Sequence, residues 1–220
     1  MFWAIGIVLG IGCLSYRLRL LSFGGAVAAV ILAIPIFGFG GWMWAVPMLT
    51  FFLLSSLLSK VGRVHKKQYD LVFEKGGQRD AYQVFANGGV AGVIAVVYAV
   101  IGRGELFPLY CTALAVAAAD TWATELGTLT KGAPRLVTTF QKVSAGTSGG
   151  LTVLGMTGAS LGALSVALSG WVFYGDLYMI WAVTFCGVLG SLLDSLLGAT
   201  IQAQYCCGAC GKVTEKREHC

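Results

Sequence analysis

At 220 residues, 57% hydrophobic, 11% charged and with a mean hydropathy of +0.78, the chain reads as an integral membrane protein and is excluded from the soluble globular class. No polar stretch is long enough to fold separately, so residues 1–205 read as one membrane domain and residues 206–220 as a short tail. The net charge of +5 lies almost wholly in connecting segments, where it reports orientation, and no nucleic-acid partner is expected.

In chain order, apolar runs fall at about 2–16, 21–38, 41–59, 81–101, 106–127, 148–172 and 177–202. Each approaches the ~20 residues that cross a ~30 Å hydrocarbon core as a helix, the first being the shortest. An all-α bundle of about seven transmembrane helices follows. The first run has no basic residue before it; Arg17 and Arg19 come after it, so it reads as a retained helix and not as a cleaved leader. With seven spans, all of the fifteen Lys and Arg residues except Arg103 fall on one side, which puts the N-terminus outside and the C-terminus in the cytoplasm. The thirty-one glycines fit close helix packing in lipid.

The polar residues gather toward that basic side. Gln78-Arg79-Asp80 enters the fourth span, and Asp80, Gln83 and Asn87 recur on one helical face. Arg79 at the mouth suits bidentate phosphate recognition; hydrogen bonding between helices is the alternative for the amides. The basic run Arg63 to Lys67 reads as a solvated anchor, with a contribution to a phosphate-binding mouth as the alternative. In the fifth span, Asp120, Thr121, Thr124 and Glu125 interrupt a run of small residues, and carboxylates are costly there unless they have a task. Asp120 and Glu125 sit about 140° apart around a helix, so they flank a site without sharing one ligand atom. A Mg²⁺ ion, usually held by one or two carboxylates plus substrate phosphates, suits such a pair.

Lys142 and the run Ser144 to Gly150 precede the sixth span, and Thr147, Ser148, Gly149 and Gly150 read as an anion-binding turn at a helix start. It lacks the lysine of a P-loop. Asp194, among leucines of the seventh span, must face the bundle interior and complements Asp120. In the tail, Cys207-x-x-Cys210 with His219-Cys220 reads as a zinc knuckle of structural type, with reduced thiols as the alternative. Cys13, Cys111 and Cys186 read as small packing residues.

Taken together, Phe52 to Ser59, Glu74 to Asp80, Gln83 to Gly88, Ala119 to Gly127, Gly146 to Gly150 and Gly198 to Thr200 resemble the integral-membrane family once called domain of unknown function 92. That family takes in the plant chloroplast phytyl-phosphate kinase and the animal transmembrane protein 19. Similar sequences usually run on past the His-Cys pair into another hydrophobic segment, whereas this one ends at Cys220. The resemblance implies a kinase of isoprenoid metabolism that converts a prenyl monophosphate, such as phytyl or geranylgeranyl phosphate, to the diphosphate. A nucleoside triphosphate is the donor, with CTP expected. Asp120, Glu125 and Asp194 would hold Mg²⁺; Arg79, Lys142 and the Thr147–Gly150 amides would bind phosphate; Gln83 and Asn87 would orient the acceptor, whose tail would lie along the glycine-rich faces of the fourth and sixth spans. Asp80 and Thr121 complete the expected binding set. A transporter or flippase of an anionic substrate is the competing reading, since intramembrane acids also mark ion pathways.

Overall fold

The computed structural model describes residues 2–66, 78–130, 132–202, 205–206 and 213–214. Six helices carry the fold: α1 (Phe2–Arg17), α2 (Phe23–Lys66), α3 (Ala81–Ile101), α4 (Leu106–Gly127), α5 (Val153–Tyr174) and α6 (Leu177–Thr200). Two short antiparallel pairs accompany them, β1 (Arg135–Leu136) with β2 (Gly150–Leu151) and β3 (Tyr205–Cys206) with β4 (Val213–Thr214). Residues 23–62 of α2 and each of α3 to α6 are long and apolar enough to cross a membrane, five candidate spans among the described residues, while α1 is a shorter apolar helix.

Helix ends follow local chemistry. Asp80 caps α3 by accepting from the Gln83 N–H at 2.9 Å, and the Gln83 amide oxygen accepts from the Asp80 N–H at 3.1 Å, a complete capping box. Gly102 closes α3 and Gly175 closes α5 in the left-handed conformation that glycine adopts without strain. Thr152 and Asp176 cap α5 and α6 through their side-chain oxygens.

The sixth apolar run was expected to begin its helix at 148; the helix begins instead at Val153. Gly149 has φ +74° and Gly150 is paired in β2, so residues 148–151 belong to a hairpin and not to a first helical turn. Runs two and three form one helical element, yet Gly41 breaks it with φ 59° and ψ −153°. A Cβ on Gly88 of α3 would touch both Leu32 and Met48, at 3.0 and 3.7 Å. Sixteen residues of straight helix would separate those two side chains by about 24 Å, so α2 doubles back at Gly41 and both halves lie against α3.

One end of this hairpin is aromatic. Trp44 stacks on Tyr98 with centroids 4.5 Å apart, packs against Phe107 and Tyr110, and accepts the Tyr110 hydroxyl on its carbonyl at 2.6 Å. At the other end, Trp122 Nε1 donates to Ser55 Oγ at 3.2 Å and Ser59 Oγ donates to Glu125 Oε1 at 2.8 Å.

The tightest helix contact is between α4 and α5. Added Cβ atoms on Gly155, Gly158 and Gly162 would lie 2.9, 2.6 and 2.8 Å from the carbonyl oxygens of Ala123, Trp122 and Ala118. Only hydrogen fits there, and it lets two backbones approach as small-residue faces do in membranes. Gly187 and Gly190 of α6 make room for side chains: an added Cβ on Gly187 would lie 2.9 and 3.0 Å from Ala163 Cβ and Ala115 Cβ, and one on Gly190 2.5 Å from the Val116 side chain. A Gly158→Leu substitution should lower the melting temperature in detergent, by the equivalent of at least about 1–3 kcal/mol for overpacking. Gly89→Ala, where nothing lies within 4 Å of the new Cβ, should leave the melting temperature unchanged.

Candidate functional site

The glycine seam fixes α4 between α5 and α6, and the polar residues follow from that placement. Asp120 of α4 and Asp194 of α6 line one cavity of about 330 Å³, although 74 residues of chain separate them. Around them stand Thr124 and Thr130 from α4 and its end, Thr147 to Thr152 from the hairpin, Gly155 from α5, and Ser191, Ser195 and Gln202 from α6 and its end. Neither carboxylate makes a hydrogen bond or ion pair with another described residue. The Thr130 hydroxyl is also buried without a partner. No described Lys or Arg lines the cavity, so its fixed side-chain charge is negative.

The hairpin that closes one side is held by its own bonds and by α6. Val137 donates to the Gly149 carbonyl and Leu136 to that of Gln141, both at 2.9 Å. A Cβ on Gly149 would lie 2.5 Å from Ala199 Cβ and 2.6 Å from the Ser195 carbonyl, so the turn seats directly on α6. Ser148 Oγ donates to Gln202 Oε1 at 2.9 Å, tying the same turn to the end of that helix.

Of the expected residues, Asp120, Asp194, Thr147, Ser148, Gly149 and Gly150 come together here. Others do not. Glu125 does not line this cavity, and its Oε1 accepts from Ser59, because i and i+5 project to different sides of α4. Three carboxylates therefore do not converge, and among the described residues no group of three Asp, Glu, His or Cys side chains is placed to hold a metal. Arg79, Gln83 and Asn87 line a different cavity among α1, α2 and α3, and Asp80 is engaged in the capping box with Gln83. Thr121 is absent from the cavity wall, and Lys142 is exposed in an isolated bridge with Arg135.

The anion-binding turn differs in form from the expectation. The Thr147 and Gly150 N–H groups bond to Ser144 and Thr147 carbonyls within the turn, at 3.2 and 3.0 Å. The helix start that faces the cavity lies later, at Thr152 and Gly155. Thr130, Ser191 and Gln202 were missed by sequence reasoning; Ser191 alone gave a signal, three residues before Asp194 on the same helical face. Cys207, Cys210, His219 and Cys220 lie outside the described residues.

A family model described as Integral membrane protein DUF92 matches residues 6–220. The chain belongs to that family. Protein PGR of Arabidopsis thaliana is 33% identical over 228 residues, covering 92% of this chain and 79% of that protein. An uncharacterized membrane protein of Methanocaldococcus jannaschii is 32% identical, over 92% of this chain and 83% of its own length. Another, from Synechocystis, is 26% identical over 85% and 74%. No solved structure matches.

Proposed function

We propose that the protein is a membrane phosphotransferase that carries a phosphoryl group from a nucleoside triphosphate, CTP in the first instance, to a prenyl monophosphate such as phytyl or geranylgeranyl phosphate. The observation that carries this reading is the pair Asp120 and Asp194, two intramembrane carboxylates without described partners, facing one open cavity beside a glycine-rich turn and a helix start. An anionic donor entering a cavity of negative side-chain charge needs a divalent cation with it. The donor set fits Mg²⁺: all oxygen donors, two carboxylates with hydroxyls and the Gln202 amide oxygen, and room for phosphate oxygens. When bound, the ion would neutralise charge on the donor phosphates.

The chain's own work is positioning. Asp120 and Asp194 would hold the ion. The N-terminal end of α5, capped by Thr152, presents the positive end of its dipole to phosphate, and Thr130 offers a hydroxyl. In the transfer, an oxygen of the acceptor phosphate bonds to the terminal phosphorus of the donor while the bond from that phosphorus to the bridging oxygen breaks. The products are the prenyl diphosphate and the nucleoside diphosphate. A phosphate monoester is already anionic near neutrality, so no histidine base is required. Arg79, Gln83, Asn87, Glu125 and Lys142 have no part in this assignment.

The transporter reading places polar groups near the midplane. Asp120 is seven residues from the end of α4 and Asp194 six from the end of α6, about 10 Å in each case, so both acids lie toward one end. That supports surface chemistry over alternating access. The doubled-back α2 supports seven crossings, and the clustering of all Lys and Arg except Arg103 supports a cytoplasmic site with the N-terminus outside. For the tail, the order Cys207-x-x-Cys210 followed by His219-Cys220 supports a structural zinc site.

Asp120→Asn and Asp194→Asn should each cut Mg²⁺- and CTP-dependent phosphorylation of geranylgeranyl phosphate on the order of 100-fold or more with melting temperature retained. Full turnover in either would remove the metal assignment, whereas substrate flux in proteoliposomes without phosphorylation would favour the transporter. In a cysteine-free background, Arg103→Cys should react with an impermeant maleimide from outside intact cells and Lys60→Cys only after lysis. Elemental analysis of the purified full chain should find about one zinc per molecule. Cys207→Ser should release it.

A further inference from the structure

Polarity divides the cavity of Asp120 and Asp194 lengthwise. On the side of the helix ends stand Thr130, the hairpin and Gln202. On the side of the membrane core, Met156 and Ala159 of α5 and Val188 and Leu192 of α6 give it an apolar wall beside the Ser191 hydroxyl. Leu192 lies two residues and Val188 six residues deeper along α6 than Asp194, about 3 and 9 Å. The interval between α5 and α6 that these residues flank is shut at both ends. At the deep end an added Cβ on Gly187 would lie 2.9 Å from Ala163 Cβ, and at the other the Gly149 turn rests on Ser195 and Ala199. Between those closures run the eight residues of α6 from Gly187 to Ser195, about 12 Å. Met156, Val188 and Leu192 are only half-buried, and their outward neighbours Ser160, Leu161, Leu189 and Leu193 are exposed.

We propose, building on the phosphotransferase reading, that this interval is a lateral window through which the prenyl tail of the acceptor leaves the cavity for the bilayer, its phosphate staying at the acids. A cavity of about 330 Å³ holds one small ligand, so the donor and acceptor phosphates leave no room in it for a geranylgeranyl chain. The chain must run out into lipid, whose tails are as apolar as it is. The flanking routes are closed. Gly155, Gly158 and Gly162 hold α5 against the carbonyls of α4, and Val116 fills the space at Gly190 between α4 and α6. The glycine face of α3, the other expected path, is covered where Leu32 packs onto Gly88 and Gly92. Two neighbouring helices part by the width of one chain, which selects a single-chain prenyl phosphate over a two-chain phospholipid. Met156 is the adaptable side of the window, and Val188 and Leu192 set the fit of the first isoprene units.

A geranylgeranyl phosphate analogue with a diazirine in its second isoprene unit tests the path on the full chain in detergent, without any substitution. Illumination should label residues within 156–160 and 188–193, read by peptide mass spectrometry. Unlabelled geranylgeranyl phosphate should displace the label, and dioleoyl phosphatidate should do so less well. Label that is absent, confined to α3 or not displaced overturns the window, and equal displacement by the phosphatidate overturns the single-chain occupant. Kinetics give a second reading. Leu192→Trp should lower the ratio of kcat/KM for geranylgeranyl phosphate over dimethylallyl phosphate about tenfold. Val93→Trp, on an exposed face of α3, should leave that ratio unchanged. An unchanged ratio in Leu192→Trp overturns the selecting role of α6. Displaceable label on α5 and α6 without phosphoryl transfer to any acceptor keeps the window and removes the phosphotransferase reading, and transfer with label elsewhere does the reverse.

Discussion

The structure depends on a backbone-to-backbone approach. Along α5, Gly155, Gly158 and Gly162 put hydrogen atoms where any side chain would strike the carbonyls of α4. In lipid, no hydrophobic force drives two apolar helices together, so close van der Waals contact over small residues has to hold them. The same seam sets the rotation of α4. Once Ala118, Trp122 and Ala123 face α5, Asp120 is presented toward the space between α5 and α6, while Trp122 and Glu125 bond to serines of α2.

A carboxylate in a membrane interior is expensive, and two in one cavity repel each other as well. Such a pair persists when the bundle holds it for reasons unrelated to the acids. The seam supplies that reason on α4, and Gly187 and Gly190 against Ala115 and Val116 supply it on α6. The cavity is therefore a consequence of packing that keeps two acids together. The hairpin between α4 and α5 adds neutral donors and no described cationic side chain.

Much of this was legible in the residues. Spans 81–101 and 106–127 were found to the residue, because charged or glycine-bearing segments bound them on both sides. The start of α5 was misplaced, since hydropathy counts Leu151 and Val153 alike and is blind to a positive φ at Gly149. The pairing of Asp120 with Asp194 was legible from cost alone: each needed an interior, and the chain offers few. The placements of Glu125 and Arg79 were not. A helical wheel shows that Glu125 points elsewhere than Asp120, but only the neighbouring helices decide what each direction meets. Arg79 and Asn87 share their helix face with a different cavity, which no linear motif announces.

The aromatic cluster at Trp44 carries a mechanical implication. Trp44, Phe107 and Tyr110 are all but inaccessible, at 1%, 0% and 0% exposure, and they join α2, α3 and α4 where the carboxylates are not. Stacked rings and a 2.6 Å hydroxyl bond make that end a fulcrum. Swinging of α2 or α3 against α4 then has its lever arm at the opposite end, where Ser55 and Ser59 bond to Trp122 and Glu125 of α4. A given tilt about Trp44 displaces the mouth more than the base.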